Sequence, residues 1–280
     1  MTFTPGQATV VTDEALLATY GRAFRKIGKT IALVPLSSAI HAGHIELIRA
    51  ARSLLGAYTV VTFTGELDDT TRDIFTREKV DLVFNGPLET TVSVNTGLDH
   101  LENSEVIARD VARILAAANL THATDLVMGE KDFELLVATQ RAVSALRMEV
   151  KLHSVPTVRT PDGVALSLRN SRIDDASQDT ALALSAALTA GAHAAEHGEE
   201  VVLETVRGIL NAAGVEPTYL AIRDLAFGPA PQTGDARLLA AITLPAKQDS
   251  STTEAQASVH LADNVGLPLG IGFKHIADDF

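Results

Sequence analysis

The chain of 280 residues contains no cysteine. Disulfide bonds, thiolate catalysis and cysteine-ligated metals are therefore excluded. Packing must stabilise the fold, and any catalytic group must be a His, Lys, Arg, Asp, Glu or Ser side chain. Hydrophobic residues make up 46% of the sequence, which is ample for a packed core. The composition predicts a globular protein with one large domain or two small ones.

The sequence also lacks an apolar run of the roughly 18 residues that a membrane helix needs. Residues 1–19 have neither the basic nor the apolar region of a signal peptide, so a cytoplasmic protein is expected. The net charge is −12, and no cluster of Lys and Arg is visible. We therefore expect neither nucleic acid nor a membrane as partner, and the cations of any nucleotide site must be local.

Short apolar strands alternate with helical segments in the first 156 residues. The expected strands are 31–34, which Pro35 should end, followed by 58–63, 80–84, 125–128 and 150–155. Helices are expected between them, one of them capped by Asn103 or Ser104. This alternation predicts an α/β fold, a Rossmann-like doubly wound parallel sheet that binds ligands beyond the carboxyl ends of its strands.

The pattern changes after Pro156. Residues 175–198 and 199–213 are helical in character, and the segments 219–223 and 237–244 resemble strands. Residues 245–255 are polar and predict an exposed loop. We therefore expect two domains, residues 1–156 and a smaller α+β domain of residues 157–280.

The turn after the first expected strand carries two histidines. His41 and His44 stand at the start of a helix, where free backbone N–H groups and the helix dipole favour phosphate. Gly43 between them lets a nucleotide approach the backbone closely, and both imidazoles can donate hydrogen bonds. The alternative is two surface histidines on a loop. The strand before and the helix after favour the nucleotide site.

Two further clusters carry candidate nucleotide ligands. In the first, Gly129 permits close approach, Lys131 can bind phosphate and Asp132 can accept a ribose hydroxyl; the alternative is a helix-capping Asp132 beside a solvated lysine. In the second, Ser167 and Arg169 fit a triphosphate clamp; the alternative is an arginine in a surface ion pair. A last cluster, His260, Asp263 and Asn264, is expected to serve strand ends and turns.

Taken together, these motifs resemble the pantothenate synthetase family, the pantoate and β-alanine ligases of the nucleotidylyltransferase superfamily. The family's H-x-G-H turn corresponds to HAGH, and its F-G-E-K-D-Y-Q-Q to MGEKDFELL. Its V-P-T-V-R and D-G-L-A-x-S-S-R-N correspond to VPTVRTPDGVALSLRN, and its L-I-D-N to LADN in HLADN. The motifs agree in order and spacing, and the resemblance covers most of the chain.

The resemblance implies an ATP-dependent ligase that forms an acyl-adenylate and passes the acyl group to an amine. It implies Mg²⁺, a C-terminal lid domain and a homodimer. The catalytic candidates are His44, Lys131 and Arg169. The implied ATP-binding residues are His41, His44, Gly129, Lys131, Asp132, Val158 near the adenine, Ser167 and Arg169. The ligands of the metal are not identified.

The departures from the family gather around the acid substrate. Ser37 and Ser38 replace a methionine and a glycine, and Leu135 replaces a glutamine that contacts pantoate. The family's F-V-N-P-x-Q-F segment is replaced by TFTGELDD, residues following it are missing, and its R-P-G-H-F loop is absent. We expect Ser37, Phe63 and Leu135 to line an altered acid pocket in which pantoate is held less well. The alternatives are another acid or amine, a simple adenylyltransferase, or a noncatalytic nucleotide-binding paralogue.

Overall fold

A computed structural model describes residues 3–36, 39–247 and 257–271. The chain divides after Val158 into two compact units, which are treated separately below. Within these described ranges, the first unit is a six-stranded parallel sheet with five α-helices, and the second combines helices with a three-stranded antiparallel sheet. The predicted α/β class with an added α+β part is confirmed.

The parallel sheet of the first unit has the strand order β1-β4-β3-β2-β5-β6. Its strands are β1 (Thr9–Val11), β2 (Thr30–Leu36), β3 (Ala57–Phe63), β4 (Leu82–Phe84), β5 (Asp125–Gly129) and β6 (Lys151–Val155). The first unit's helices are α1 (Glu14–Lys26), α2 (Ala42–Ser53), α3 (Asp69–Arg77), α4 (Ser104–Thr121) and α5 (Phe133–Ala145). Because all strands run in the same direction, the turns that follow them meet at one edge.

The central strand explains why the sheet forms here. Residues Ile31 to Val34 are fully buried, as expected for a strand covered on both faces. Asn103 caps α4, as predicted, by accepting hydrogen bonds from the N–H groups of Glu105 and Val106. Strand β1 and helix α1 were not predicted. Asp13, which caps α1, was the available signal for the helix.

The expectation that Pro35 ends its strand is wrong. Pro35 pairs with Thr62 of β3, and β2 continues to Leu36. The N–H of Ile31 points towards Thr124, just before β5, and residue 35 faces the same side because alternate residues share a side. Pairing with β5 ends at Leu33, so the N–H that proline lacks would have no partner strand to reach.

The second unit contains helices α6 (Gln178–His193) and α7 (Glu199–Ala212) and strands β7 (Pro217–Asp224), β8 (Gly234–Pro245) and β9 (Ser258–Leu269), in the order β7-β8-β9. The expectation that His260, Asp263 and Asn264 serve strand ends and turns is wrong. They lie within β9, where Asp263 pairs with Ala240 of β8. Most of the expected loop 245–255 lies outside the described residues.

Among the residues that the structure describes, no helix has both the length and the hydropathy needed to cross a bilayer.

Two glycines within helices differ in the space around them, so replacing each by alanine is expected to change the stability in opposite directions. A Cβ on Gly21 in α1 would overlap the carbonyl oxygen of Thr121 at the end of α4, whereas a Cβ on Gly208 in α7 would meet nothing within 4 Å. We expect Gly21→Ala to lower the free energy of unfolding by about 1 to 3 kcal/mol through overpacking. Gly208→Ala should raise it by about 0.5 to 1 kcal/mol. Urea unfolding of both variants checks this, and equal effects would contradict the close packing of α1 on α4.

Candidate active site

The turn between β2 and α2 presents hydrogen-bond donors at the carboxyl edge of the sheet. His41 is the N-cap of α2, and its Nδ1 accepts a hydrogen bond of 3.1 Å from the N–H of Gly43. In the neutral ring the proton must therefore lie on Nε2, which is left as a donor. A Cβ on Gly43 would lie 2.9 Å from Cε1 of His41, so a larger residue here would displace the imidazole from its capping position.

His44 packs its ring against that of His41. The two ring centroids are 3.8 Å apart, and the planes are inclined by 28°. Burial and the neighbouring His41 lower the pKa of His44 to about 4, and burial followed by the charge of Lys131 also lowers the pKa of His41. Both rings are therefore neutral at pH 7. Nδ1 of His44 is buried and has no hydrogen-bond partner within the described parts of the chain.

The lowered pKa of His44 predicts a pH-dependent stability. Between pH 6.5 and about 4 the unfolded chain binds a proton at His44 and the folded chain does not, so stability falls as the pH falls through this window. We expect His44→Gln to reduce that loss by about 1 to 3 kcal/mol. Urea unfolding at pH 7 and pH 5 measures it. His197→Gln, at a side chain that is 62% exposed, is the control and should leave the pH dependence unchanged.

The neighbouring turn, after β5, carries a lysine and an aspartate. The Lys131 side chain is only 17% exposed, and its Nζ lies 4.0 Å from Oδ1 of Asp132, which is 67% exposed. Asp132 occupies the N-cap position of α5, but its side chain makes no capping hydrogen bond, and Lys131 is not the solvated lysine of the alternative interpretation. Since Lys131 and Asp132 both affect the pKa of His41, the turns after β2 and β5 form one electrostatic site.

The described residues contain no group of three or more His, Asp or Glu side chains that could enclose a metal ion. An exposed carboxylate such as Asp132 suits Mg²⁺, which prefers oxygen ligands and commonly combines one or two carboxylates with phosphates and water. The side chains present therefore fit a cation that arrives with a nucleotide.

The residues expected around the acid differ in their placement. Phe63, the last residue of β3, is 1% exposed and packs edge-on against Phe75, with ring centroids 5.5 Å apart. It belongs to the core, so it can only form the floor of a pocket. Leu135 is half-buried in the first turn of α5. Ser37 and Ser38 lie outside the described residues.

Two polar groups near this edge, the half-buried Asn85 and the buried Glu134, were missed by the sequence analysis. Asn85 follows β4 and donates to the carbonyl oxygens of Phe63 and Gly65 at 2.8 and 3.1 Å, which fixes the chain after β3. Glu134 is 4% exposed and accepts from His100 Nδ1, at 2.6 Å, and from two backbone N–H groups. A polar residue directly after a buried strand was the available signal for Asn85. The sequence held none for Glu134.

The second unit holds Ser167 and Arg169, and Val158 is the last residue of the first unit. Ser167 caps a short helix, Leu168–Arg172, and its Oγ accepts from the N–H of Arg169 at 3.2 Å. Arg169 is exposed, and no ion pair of its side chain occurs in residues 3–36, 39–247 and 257–271. The alternative of a surface ion pair is therefore not supported, and the guanidinium is available to an anion.

Comparisons with known proteins agree with one another. A family model described as pantoate-beta-alanine ligase matches residues 9–77 and 72–266. A pantothenate synthetase of Corynebacterium jeikeium is 38% identical over 307 residues, with 99% of this chain and 96% of that protein covered. A pantothenate synthetase of Nocardia farcinica is 35% identical over 295 residues, covering 96% and 89%.

Solved structures share the fold. Pantothenate synthetase from Thermus thermophilus superposes with a TM-score of 0.73 at 21% identity, covering 92% of this chain and 98% of that one. Pantoate-beta-alanine ligase from Francisella tularensis, complexed with β,γ-ATP and β-alanine, gives 0.67 at 18% identity, covering 92% and 97%.

The comparisons also locate a shortened segment. The family model matches in two parts that meet at residues 72–77, within α3. The alignment with the Corynebacterium protein is longer than this chain's 280 residues, so that relative carries residues that are missing here. Both observations fit the predicted loss of residues after TFTGELDD, between Thr62 and Val80.

Proposed function

Because the chain belongs to the pantoate-beta-alanine ligase family, we propose that it activates pantoate with ATP and joins the acyl group to β-alanine. The proposal is supported by curated relatives of that name along almost the whole chain. The observation that carries it is local: two neutral imidazoles, a largely buried lysine and the N-terminus of α2 lie at one edge of a parallel sheet. That edge is where such sheets bind nucleotides.

The reaction needs no protein nucleophile. The pantoate carboxylate attacks the α-phosphorus of ATP, which gives an acyl-adenylate and releases pyrophosphate. The amine of β-alanine then attacks the acyl carbon and expels AMP. The contribution of the protein is to hold the reactants in line and to stabilise the charge that develops on the phosphates.

The side chains at the edge of the sheet are of two kinds, neutral hydrogen-bond donors and a charged lysine, and each kind contributes differently to phosphate binding. Nε2–H of His41 donates to a phosphate oxygen without adding charge, and His44 lies beside it with the same neutral character. Lys131 supplies a full positive charge, which strengthens a hydrogen bond to phosphate. Gly129 leaves room for the nucleotide, and Asp132 accepts from a ribose hydroxyl or holds Mg²⁺. Mg²⁺, when bound, would neutralise phosphate charge as a Lewis acid.

Three parts of the proposal rest on the resemblance alone. The first assigns Ser167 and Arg169 to the phosphates and Val158 to the adenine. The second gives residues 157–280 the role of a lid. The third makes the protein a cytoplasmic homodimer, which sedimentation at several concentrations would test.

A second candidate, a ligase for another acid, is favoured by one observation. Leu135 is half-buried at the position of a family glutamine and cannot donate a hydrogen bond to a hydroxy acid. A site that has lost such a donor discriminates against the polar substrate, and each buried polar group left unpaired costs about 1 to 3 kcal/mol. Pantoate remains the first candidate because curated relatives at 35 to 38% identity carry its synthetase name.

Pyrophosphate exchange separates these candidates. The purified protein is incubated with Mg-ATP, labelled pyrophosphate and either pantoate or a panel of small, aromatic and longer-chain acids, and amide formation is then followed with β-alanine. We expect exchange and amide formation with pantoate, at a kcat of about 1 to 10 s⁻¹. Exchange with a different acid only would establish the second candidate. Exchange without amide would indicate an adenylyltransferase, and ATP binding without exchange would indicate a noncatalytic paralogue.

A further inference from the structure

A partly buried ion pair joins two sequence motifs of the second unit that are 104 residues apart. The two guanidinium nitrogens of Arg159 donate to the two carboxylate oxygens of Asp263 at 2.7 and 3.0 Å. Arg159 also donates to the carbonyl oxygens of Gly163 and Asn264, both at 3.0 Å. Asp263 is 4% exposed within β9 and accepts in addition from the N–H of Asn264. Arg159 is thereby fixed to a strand of the sheet.

The same arginine closes a short hairpin. Arg159 pairs with Ala165 in an antiparallel bridge, and the N–H of Thr160 donates to the carbonyl of Val164. Gly163 makes the turn with φ +86°, which a side chain would strain. The carbonyl of Gly163 accepts from Arg159, and the hydroxyl of Ser185 in α6 donates to it as well. The turn is held from two sides.

The hairpin in turn holds the segment with Ser167 and Arg169. Nδ2 of Asn170 donates to the carbonyl of Ala165, the last residue of the hairpin, at 2.9 Å. The N–H of Asn170 also donates to the carbonyl of Ser167. A continuous series of bonds therefore leads from Asp263 through Arg159 and Ala165 to the residues on both sides of Arg169.

Stability alone is a weak reason for such a pair. Removing a carboxylate and a guanidinium from water costs several kcal/mol, and apolar residues of similar size often stabilise a core equally well. The planar fork of arginine, in contrast, fixes direction as well as distance, because two parallel hydrogen bonds must form together. The pair is therefore better suited to orienting a segment than to strengthening a core.

We propose that Arg159 and Asp263 are positioning residues for nucleotide binding, which act by orienting the hairpin and thus Ser167 and Arg169. This inference rests on the proposed function, in which Ser167 and Arg169 contact the phosphates. Neither Arg159 nor Asp263 needs to touch the nucleotide, since the two terminal nitrogens of Arg159 already donate to both carboxylate oxygens of Asp263 and to two backbone carbonyls.

The test compares Arg159→Met and Asp263→Asn with Arg237→Met in the full-length protein. Arg237 is the control, because its Nε donates to Asn264 Oδ1 at 2.6 Å, so that this arginine also contacts β9 beside Asp263. We expect both pair variants to lower kcat/KM for ATP by about 10- to 100-fold, chiefly through KM, as expected when a binding group is misplaced. Arg237→Met should lower Tm but leave KM for ATP within about twofold of the parent. Arg159→Lys, which keeps the charge without the fork, should recover only part of the loss.

Two further measurements separate positioning from general damage. Hydrogen exchange over residues 160–170 should accelerate in Arg159→Met and Asp263→Asn but not in Arg237→Met. In an Arg169→Ala background, Arg159→Met should have little additional effect on ATP, because its effect is transmitted through Arg169. An equal loss in all three variants, or an undiminished effect without Arg169, would overturn the inference. A parent that binds ATP in calorimetry but forms no amide would refute the proposed function, and ATP affinities of the variants would still decide the inference.

Discussion

Replacing Lys131 by alanine is expected to lower kcat/KM for ATP by about 10²- to 10³-fold, the usual loss when one preorganised group facing a developing charge is removed. The lysine is the full positive charge beside two histidines that stay neutral at pH 7, so those rings cannot replace its charge. We expect Mg-ATP to raise the Tm of the parent, and this rise should also disappear in the variant. At a ligand concentration of 100 Kd that stabilisation is about 2.7 kcal/mol, which is easily detected.

The matched control is Lys29→Ala. Lys29 precedes β2 at the opposite edge of the sheet, where its Nζ lies 5.0 Å from the ring centre of Tyr58. This variant should bind Mg-ATP like the parent. If Lys131→Ala bound Mg-ATP in calorimetry as tightly as Lys29→Ala, the assignment of the nucleotide site to this edge would be wrong.

The second large effect is expected at Glu134. Its carboxylate accepts from His100 and from the N–H groups of Leu101 and Glu102, at 3.2 and 3.0 Å for the last two. Glu134→Leu would leave two backbone donors and an imidazole without an acceptor. Each buried donor left unpaired costs about 1 to 3 kcal/mol, so the free energy of unfolding should fall by about 2 to 5 kcal/mol.

Glu134→Gln is the comparison, because an amide keeps one carbonyl oxygen and can donate to a neutral His100. In urea unfolding, Glu134→Gln should lower the free energy of unfolding by less than half as much as Glu134→Leu does. Hydrogen exchange should show faster exchange of residues 100–102 in Glu134→Leu. A leucine variant within 0.5 kcal/mol of the parent, a difference typical of an unconstrained surface site, would contradict this role.

Sequence patterns predicted the local features of the fold well. The strand and helix around His41, the cap at Asn103 and the strand leading to Gly129 each depend on residues adjacent in sequence. Strand β1 was missed because three residues give too short a pattern. Pro35 was misjudged because its effect depends on which neighbouring strand its missing N–H would face, which only the sheet order reveals.

The contacts that support the candidate site could not be predicted from the sequence in the same way. The hydrogen bond from Asn85 to Phe63 joins residues that are 22 positions apart in the sequence, and the bond from Arg159 to Asp263 joins residues that are 104 apart. No spacing rule relates such partners, because the fold brings them together. The residues expected to contact a ligand were identified from motifs, whereas the residues that hold them were not.

Helix α3 and the chain that leads into it are held by separate contacts at their two ends. Asp68 caps its start by accepting from the N–H of Thr71 at 2.8 Å, and Arg49 of α2 grips Glu78 at its end. Asn85 independently fixes the chain at Gly65. A longer segment spliced in between Gly65 and Asp68 would break none of these contacts. The length of the chain between Gly65 and Asp68 can therefore change, in evolution or by grafting from a longer relative, while the sheet stays intact.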